Sequence, residues 1–257
     1  MMETEIIKIE NLNATFGDNH ILKDVSFRAY KNQITVILGK SGSGKSVMLK
    51  HLLGLYPIHQ GSVSIDGHMI EKSDEEEMRQ LRLQSGVLFQ NGALINSLTV
   101  GENIAIPLEQ HTRLQSDLIK ILIAIKLKLV GLENASELLP SQLSGGMRKR
   151  AALARAIALD PPFLFCDEPS AGLDPVTLEA LDILILKLKI QLGMTIILVT
   201  HEVSSIFRLA DRVIFLEDGH ITYEGDLPTA LASTNTSVSE FFNKAKGKGI
   251  NYRQVKP

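Results

Sequence analysis

The sequence predicts an α/β fold with an antiparallel β subdomain at its N-terminus and an α-helical subdomain inserted into the core. Short β-like runs open the chain between Ile6 and Ile65. Two continuous apolar runs, Phe163–Cys166 and Thr195–Thr200, are of the kind that forms buried parallel strands. Between them and the N-terminal runs, residues 91–160 carry apolar and basic residues at helical spacing. Together these observations predict a parallel core interrupted by a helical insertion at about residues 91–160.

The N-terminal part alternates strand signals with turn and cap signals. The predicted strands are Ile6–Ile9, Val25–Ala29 and Ile34–Leu38. Asp66-Gly67, which follows Val63 and Ile65, predicts a hairpin turn. Ser73-Asp74 precedes the acidic run Glu75–Glu77. This order predicts a capped helix whose first turn carries the negative charge that the helix dipole favours.

A glycine-rich segment after the third predicted strand predicts a phosphate-binding loop. It consists of Gly39-Lys40-Ser41-Gly42-Ser43-Gly44-Lys45-Ser46 and leads into a helix-like segment through Leu49, Leu52 and Leu53. In this strand–loop–helix context, glycines let successive N–H groups point at an anion and the helix adds its positive end. Lys45 then supplies a mobile charge to the β- and γ-phosphates, and the Ser46 hydroxyl is placed to ligate Mg²⁺. The alternative, a loop that merely turns the chain, is disfavoured by the flanking strand and helix.

Length and composition limit the class of protein. With 27 basic and 29 acidic residues among 257, the net charge is −2, and no overall basic field favours a nucleic-acid partner. Cys166 is the one cysteine, which excludes an intrachain disulfide and fits a reducing compartment. The acidic N-terminus does not match a signal peptide, and the most apolar segment, Leu118–Leu132, is shorter than a membrane span. We therefore expect a cytoplasmic protein that is soluble by itself.

The rest of the chain predicts alternating strands and helices. Gly86–Phe89 predicts a strand that stops at Gln90. Gly193 predicts the end of a helix with Leu178, Leu181, Ile185 and Leu188 at helical spacing. The remaining predicted elements are helices over Ser116–Val130 and Met147–Leu159, a hairpin of Arg212–Glu217 and His220–Glu224, and a short packed helix around Val238, Phe241 and Phe242. We expect a solvated basic tail after that helix, with Lys244, Lys246, Lys248, Arg253 and Lys256.

Four polar residues stand where predicted core strands end, and ligands bind at this edge of an open parallel sheet. Asp167 is predicted to be a partner of Mg²⁺, and Glu168 can accept a proton from an attacking water. His201 is predicted to contact the γ-phosphate, and Gln90 to touch Mg²⁺ or water. A solvated turn and an exposed histidine are the ordinary alternatives. The position of these residues after apolar strands, downstream of a phosphate loop, favours the functional interpretation.

The signature segment, Leu143-Ser144-Gly145-Gly146-Met147, predicts a second anion-binding helix start. Ser144 is the predicted N-cap, and Gly145 and Gly146 allow close backbone approach. One chain has only one phosphate loop. The simplest interpretation is that two chains each offer this segment to the nucleotide of the other.

This ordered set of motifs resembles the ABC-type ATPases. The matching segments, within residues 5–225, are Gly39–Ser46, Gln90, Leu143–Met147, Phe163–Glu168, Ser170–Asp174 and His201. The resemblance implies ATP hydrolysis with Mg²⁺ by a head-to-tail dimer that holds two ATP molecules between phosphate loop and signature segment. It also implies that Phe16 stacks on adenine and that Asp174 lies in the segment coupling the two sites. Phe16 stands where tyrosine is more usual, and Met147 where glutamine is; neither change removes a catalytic atom.

A narrower resemblance concerns the sequence after Gln90. The segments Leu88–Leu94, Leu98–Thr112 and Arg150–Ala158, together with the signature segment, are similar to ATPases of the MCE-associated lipid transporters of the Mla type. This implies a multi-span permease partner, an MCE lipid-binding subunit in the complex and a peripheral position on the cytoplasmic face of the inner membrane. It also implies that the complex moves phospholipid or other lipid between membranes.

We expect residues 1–225 to form a single ABC ATPase domain and residues 226–257 a C-terminal helix and basic tail. A soluble ABC protein of DNA repair or translation is one alternative, disfavoured by the single cassette without a coiled-coil or zinc insert. A regulatory subunit that binds ATP without hydrolysis is disfavoured by intact Lys45, Asp167, Glu168 and His201. The ATPase of an importer for amino acids or another small solute stays open at this point.

Overall fold

The computed structural model describes the backbone of residues 3–246 and the side chains of residues 3–243. The described strands are β1 (Glu5–Phe16), β2 (Asn19–Tyr30), β3 (Ile34–Leu38), β4 (Gln60–Ile65), β5 (His68–Met69), β6 (Ser85–Leu88), β7 (Phe163–Asp167), β8 (Thr195–Val199), β9 (Arg212–Glu217) and β10 (His220–Asp226). The described α-helices are α1 (Lys45–Leu52), α2 (Glu75–Leu83), α3 (Val100–His111), α4 (Ser116–Leu129), α5 (Gly145–Ala156), α6 (Pro175–Leu192), α7 (Val203–Leu209), α8 (Leu227–Leu231) and α9 (Thr236–Lys246). They form two compact units, one of residues up to Leu81 and from Thr195 onward, the other of Arg82–Met194.

The first unit contains the predicted antiparallel β subdomain. Its sheet has the order β2-β1-β4-β5, and the Asp66-Gly67 turn joins β4 to β5 as predicted. Strands β1 and β2 are much longer than predicted and continue through irregularities in their register. Asn11 and Asp24 both have left-handed backbone there, with φ of 50° and 53°, and the Asn11 amide donates to the Asp24 carboxylate at 2.5 Å. Because these bulges absorb the break in alternation, β1 continues as far as Phe16.

The first unit also contains the strands that carry the phosphate loop. Strand β3 is buried along its whole length and pairs in parallel with β8 and with β9. Strands β9 and β10 form the predicted hairpin. Ile37 lies opposite Val199, so β3 and β8 end side by side. The segments that follow these two strands therefore start at the same edge of the sheet.

The second unit contains the parallel pair β6 and β7, and the helices α3, α4 and α5 lie between these strands in sequence. Helix α4 matches the prediction to within one residue, whereas α5 begins and ends two or three residues earlier than predicted. Helix α3 begins with a capping box in which the Thr99 hydroxyl accepts from the Glu102 N–H and the Glu102 carboxylate accepts from the Thr99 N–H. Buried Lys126 is paired with Asp160 at 2.5 Å. Helix α6 ends at Gly193, which has a left-handed φ of 64°, as predicted.

The C-terminal helix α9 packs as the sequence predicts. Val238 and Phe242 are buried, and the ring of Phe242 stacks on Phe207 with centroids 5.8 Å apart. The basic side chains predicted for the tail, from Lys244 onward, lie outside the described residues. Within residues 3–246, no helix is long and apolar enough to cross a membrane. The division at residue 225 into a cassette and a tail stays a prediction.

Candidate functional site

The phosphate loop connects the end of β3 at Leu38 to the start of α1 at Lys45. Gly44 is the N-cap of α1 and has a φ of 104°, which glycine adopts without strain; no side chain caps this helix start. Gly39 approaches the backbone closely, since a Cβ there would lie 2.0 Å from the carbonyl oxygen of Leu216. The loop conformation thus requires glycine at both positions.

Two polar side chains of the loop, Lys45 and Ser43, are buried and can form hydrogen bonds with an anion. The buried Lys45 ammonium donates to the carbonyls of Gly39 and Lys40, both at 2.9 Å, so the charge lies over the loop. The Ser43 hydroxyl is buried and has no hydrogen-bond partner among the described residues. Such orphaned groups are costly unless a ligand or water satisfies them. Ser41, Gly42 and Ser46 are exposed, and the loop therefore fits a bound phosphate.

The side chain of Lys40 forms an ion pair outside the phosphate loop. Its ammonium contacts the Glu217 carboxylate of β9 at 3.0 Å, and this hydrogen bond raises the pKa of Lys40. Glu217 in turn accepts from the Ser237 hydroxyl, and this bond together with Lys40 lowers the pKa of Glu217. We therefore expect Lys40 to contribute to nucleotide binding through its backbone N–H and not through its ammonium group.

His201 lies at the same sheet edge as the phosphate loop, as predicted. The Thr200 N–H donates to the Ile37 carbonyl at 3.3 Å, which fastens the residue before His201 to β3. Glu202 caps α7 by accepting from Ser204, and its own N–H donates to the Thr200 hydroxyl at 3.1 Å. His201 is exposed between these two anchored residues.

Phe16 presents an aromatic ring at the end of β1 and is 42% exposed. Its ring meets Tyr56 edge-on with centroids 5.1 Å apart, and Tyr56 meets His51 of α1 at 5.6 Å. A cavity of about 180 Å³ adjoins this cluster. His51 is buried, neither of its ring nitrogens has a well-formed hydrogen bond within the described part of the chain, and burial lowers its pKa. No local pattern indicates this packing of Tyr56 on Phe16, although the spacing of His51 from the apolar residues of α1 predicts a buried ring there.

In the second unit, the register of β6 and β7 places Leu88 opposite Cys166. Gln90, Asp167 and Glu168 therefore lie at the carboxyl edge of this strand pair, Gln90 exposed and both acids half-buried. Glu168 has a left-handed backbone with a φ of 45°, which is unusual for a residue with a side chain. Cys166 is fully buried, and burial and the Asp167 charge raise the pKa of its thiol, so it is an inert packing residue.

The signature segment forms the start of α5. The Ser144 hydroxyl accepts from the Met147 N–H at 3.2 Å, which confirms the predicted N-cap. Gly146 faces α6, and a Cβ at this position would lie 2.3 Å from Cγ2 of Thr177. Gly145 has open space. Packing against α6 therefore disfavours a side chain at position 146, in addition to the close backbone approach that the sequence predicts for Gly146.

Asp174 is the N-cap of α6. Its carboxylate accepts from the N–H groups of Val176 and Thr177, each at 3.1 Å, and the bonds to Thr177 lower the pKa of Asp174. The Asp-Pro sequence at the start of the helix is the signal that predicts such a cap. The close approach of Thr177 to Gly146 brings the first turn of α6 beside the first turn of α5.

Each unit thus gathers a set of predicted residues. In the first unit, the phosphate loop and His201 lie at the same edge of the sheet. In the second unit, Gln90, Asp167 and Glu168 lie together at the carboxyl edge of β6 and β7. Lys149 and Arg155, which were not among the predicted site residues, donate to backbone carbonyls directly after β6. Among the described residues, no three His, Cys, Asp or Glu side chains cluster as a metal site. The predicted Mg²⁺ ligands are of another kind, a hydroxyl, an amide and one carboxylate.

Comparison with known proteins gives matches along most of the chain. The family model of the ABC transporter matches residues 22–171. The intermembrane phospholipid transport system ATP-binding protein MlaF of Haemophilus influenzae is 38% identical over 252 residues, 98% of this chain and 96% of that protein. The probable ribonucleotide transport ATP-binding protein mkl of Mycobacterium leprae is 40% identical over 237 residues, 92% of this chain and 68% of that protein. The solved ATP-binding cassette MJ0796, dimeric in a post-hydrolysis state with ADP and Pi, has a TM-score of 0.79 at 33% identity and covers 86% of this chain and 99% of its own.

Proposed function

We propose, since the chain belongs to the ABC transporter family of ATPases, that it is the ATP-hydrolysing subunit of a transporter. Two copies close on ATP and thereby drive a membrane permease. The likeness to solved cassettes confirms the predicted ABC ATPase fold. The observation that carries the proposal is the phosphate loop, in which the Lys45 ammonium lies over the backbone and the buried Ser43 hydroxyl has no hydrogen-bond partner among the described residues.

The phosphates of ATP are assigned to this loop. Lys45 exchanges its two carbonyl acceptors for phosphate oxygens, and the N–H groups from Gly39 to Ser46 surround the β-phosphate. Ser46, Gln90 and Asp167 would hold Mg²⁺, which prefers oxygen ligands and keeps several waters. When bound, Mg²⁺ neutralises charge on the phosphates.

The hydrolytic step is assigned to Glu168 and His201. The Glu168 carboxylate accepts a proton from a water whose oxygen bonds to the γ-phosphorus, while the bond from that phosphorus to the bridging oxygen of ADP breaks. His201 contacts the γ-phosphate and helps to hold it in line. The products are ADP and inorganic phosphate.

The partner copy completes each nucleotide site. Ser144, Gly145 and Gly146 of one copy donate to the γ-phosphate bound by the other, because the start of α5 is a positive helix end. Asp174 at the start of α6 lies beside this segment and is assigned to coupling between the two sites. The exposed ring of Phe16, backed by Tyr56, stacks on adenine. The dimeric state of the solved cassette supports this arrangement.

The cargo is assigned as phospholipid or another lipid that moves between membranes. The match to MlaF runs almost from end to end of both chains, whereas the chain spans only about two-thirds of the mycobacterial relatives. The alternative, an importer for amino acids or another small solute, is not favoured, because the relative matched over nearly all of both chains is named for phospholipid transport. The partners would be a multi-span permease and an MCE lipid-binding subunit, and the chain would be held by the permease at the cytoplasmic face of the inner membrane.

The direct test of the chemistry compares ATP hydrolysis by the wild type, by Glu168→Gln and by Glu133→Gln, which changes an exposed acid in the same unit. We expect Glu168→Gln to keep ATP affinity and to lose about 10²–10³ in rate, as is typical when one group that stabilises the transition state is removed. Glu133→Gln should match the wild type. Near wild-type hydrolysis by Glu168→Gln would remove Glu168 from its role.

The cargo and partners are tested by isolating the native complex and identifying its proteins and bound lipids. Recovery of a multi-span permease with an MCE protein and phospholipid is the expected result. Recovery of a periplasmic solute-binding protein instead would contradict the lipid assignment.

A further inference from the structure

The loop that follows β6, residues 89–99, is attached to helix α5 through its backbone. We call it the Gln90 loop. The ammonium of Lys149 donates to the carbonyl of Gln90. The Arg155 guanidinium donates to the carbonyls of Ala93 at 2.7 Å and Gly92 at 3.0 Å. Two cations of one helix therefore hold three carbonyls of one short segment.

These hydrogen bonds hold the Gln90 loop in a backbone conformation that is intrinsically unfavourable. Gly92 and the following Ala93 both have positive φ, 72° and 50°. Left-handed backbone is unfavourable for alanine and persists where surrounding contacts determine it. A Cβ on Gly92 would lie 3.2 Å from the Cβ of Ala152, so the loop also packs closely on α5. Arg155 is half-buried, and burial lowers its pKa. The contact with the loop therefore costs part of the solvation free energy of the guanidinium charge.

The far end of the Gln90 loop is attached to a different helix. The buried Asn103 side chain of α3 accepts from the Ile95 N–H at 2.8 Å and donates to the Ile95 carbonyl at 3.1 Å. The loop thus has anchors at both ends, with Lys149 as the anchor nearest to Gln90.

Lys149 also experiences the charge of Glu168. The residue is only 7% exposed, and burial lowers its pKa, an effect that the charge of the Glu168 carboxylate partly offsets. A buried ammonium needs such partners to remain charged. Lys149, on the helix that begins with the signature segment, is therefore hydrogen-bonded to the backbone of the proposed Mg²⁺ ligand Gln90, and the charge of the proposed general base Glu168 favours its protonated form.

We propose that Lys149 is a positioning residue for ATP hydrolysis, which fixes the backbone of Gln90 relative to helix α5. This rests on the proposed function of Gln90 and Glu168. The hydrogen bonds of Lys149 and Arg155 join the backbone of the Gln90 loop to α5, the helix that begins with the signature segment. Lys149 has no part in the proposed contacts with ATP, so its loss should lower kcat and leave the KM for ATP nearly unchanged.

The test measures ATP hydrolysis, ATP-binding stoichiometry and thermal unfolding for the full chain and three variants. Lys149→Met removes the charge and keeps the apolar stem, Lys149→Arg keeps a charged donor, and Lys187→Met removes an exposed lysine of α6 as the matched control. Lys149→Gln, which keeps a donor without charge, replaces the methionine variant if that variant does not fold. Because kcat is expressed per ATP-binding site, a loss of folded protein alone does not lower it.

We expect the uncharged variant to lose about 10–100-fold in kcat, the size of effect that a misplacement of about 1 Å produces, with KM within twofold of the wild type. Lys149→Arg should recover at least half of the rate, and Lys187→Met should match the wild type. A loss smaller than tenfold, a comparable loss in Lys187→Met, or no recovery in Lys149→Arg overturns the inference. If the wild type does not hydrolyse ATP, the proposed function fails and the inference with it; if only the Lys149 result differs, the inference fails alone.

Discussion

The packing of Gly146 against Thr177 predicts that Gly146→Ala lowers the free energy of unfolding, and the distance between the two residues sets the size of the loss. In Gly146→Ala the new Cβ would lie 2.3 Å from Cγ2 of Thr177, whereas carbon atoms attract best at about 3.5–4.0 Å. Helices α5 and α6 must therefore separate locally by about 1.2 Å. Overpacking of this kind costs about 1–3 kcal/mol, and the better helix propensity of alanine offsets about 1 kcal/mol. The net loss in the free energy of unfolding is then about 0–2 kcal/mol.

The second substitution Thr177→Ser isolates the cause. Serine removes Cγ2, the one atom of Thr177 in overlap, because the next closest atoms, Cβ and Oγ1, lie at 3.7 and 3.9 Å. Serine also keeps the hydroxyl group that forms a hydrogen bond with the Asp174 carboxylate. Urea unfolding of the wild type, both single variants and the double variant measures the coupling. The double variant should recover at least half of the loss caused by Gly146→Ala. Additive effects of the two substitutions would refute the argument that Thr177 is what requires glycine at position 146.

Three further predictions test other parts of the structure. Thr99→Ala removes one half of the capping box of α3 and should lower the free energy of unfolding by about 1 kcal/mol, which urea unfolding measures, while Thr99→Ser should lose little. Cys166 should not react with a thiol reagent in the folded protein and should react fully in denaturant, because burial raises the pKa of its thiol; fast labelling of the native state would contradict its placement. The folded-state pKa of His51 lies below its unfolded value of about 6.5, so the unfolded chain binds more protons and stability falls as the pH drops below that value. His51→Phe should flatten this dependence in thermal unfolding between about pH 7.5 and 5.5; an unchanged slope would show that His51 is not its source.

Much of the fold could be predicted because the sequence signals are local. The apolar run Ile34–Leu38 followed by glycines, and the stop signal at Gly193, each gave an element with correct ends. The length of β1 could not be predicted in this way. Its bulge depends on a contact between Asn11 and Asp24 across two strands, and the break in alternation at Asn11 looks like a strand end from sequence alone.

The candidate site shows the same division between local and non-local causes. Ser144 could be predicted as a helix cap from its neighbours, and Gln90 and Glu168 from their places after strands. Gly146 had a packing partner in α6 that no local pattern reveals. Lys149 contacts a carbonyl 59 positions away in the chain, and its only local signal is a cation on the buried face of α5. The roles of these residues in hydrolysis stay predictions until they are measured.

The central claim is that ATP joins two copies of this chain. Sedimentation of the Glu168→Gln variant tests it most directly, since slowed hydrolysis preserves the ATP-bound state. With Mg²⁺ and ATP, we expect the sedimenting mass to rise from one chain of 28.3 kDa to two, and ADP should not have this effect. A mass that stays at one chain while ATP is bound at saturation would contradict the account.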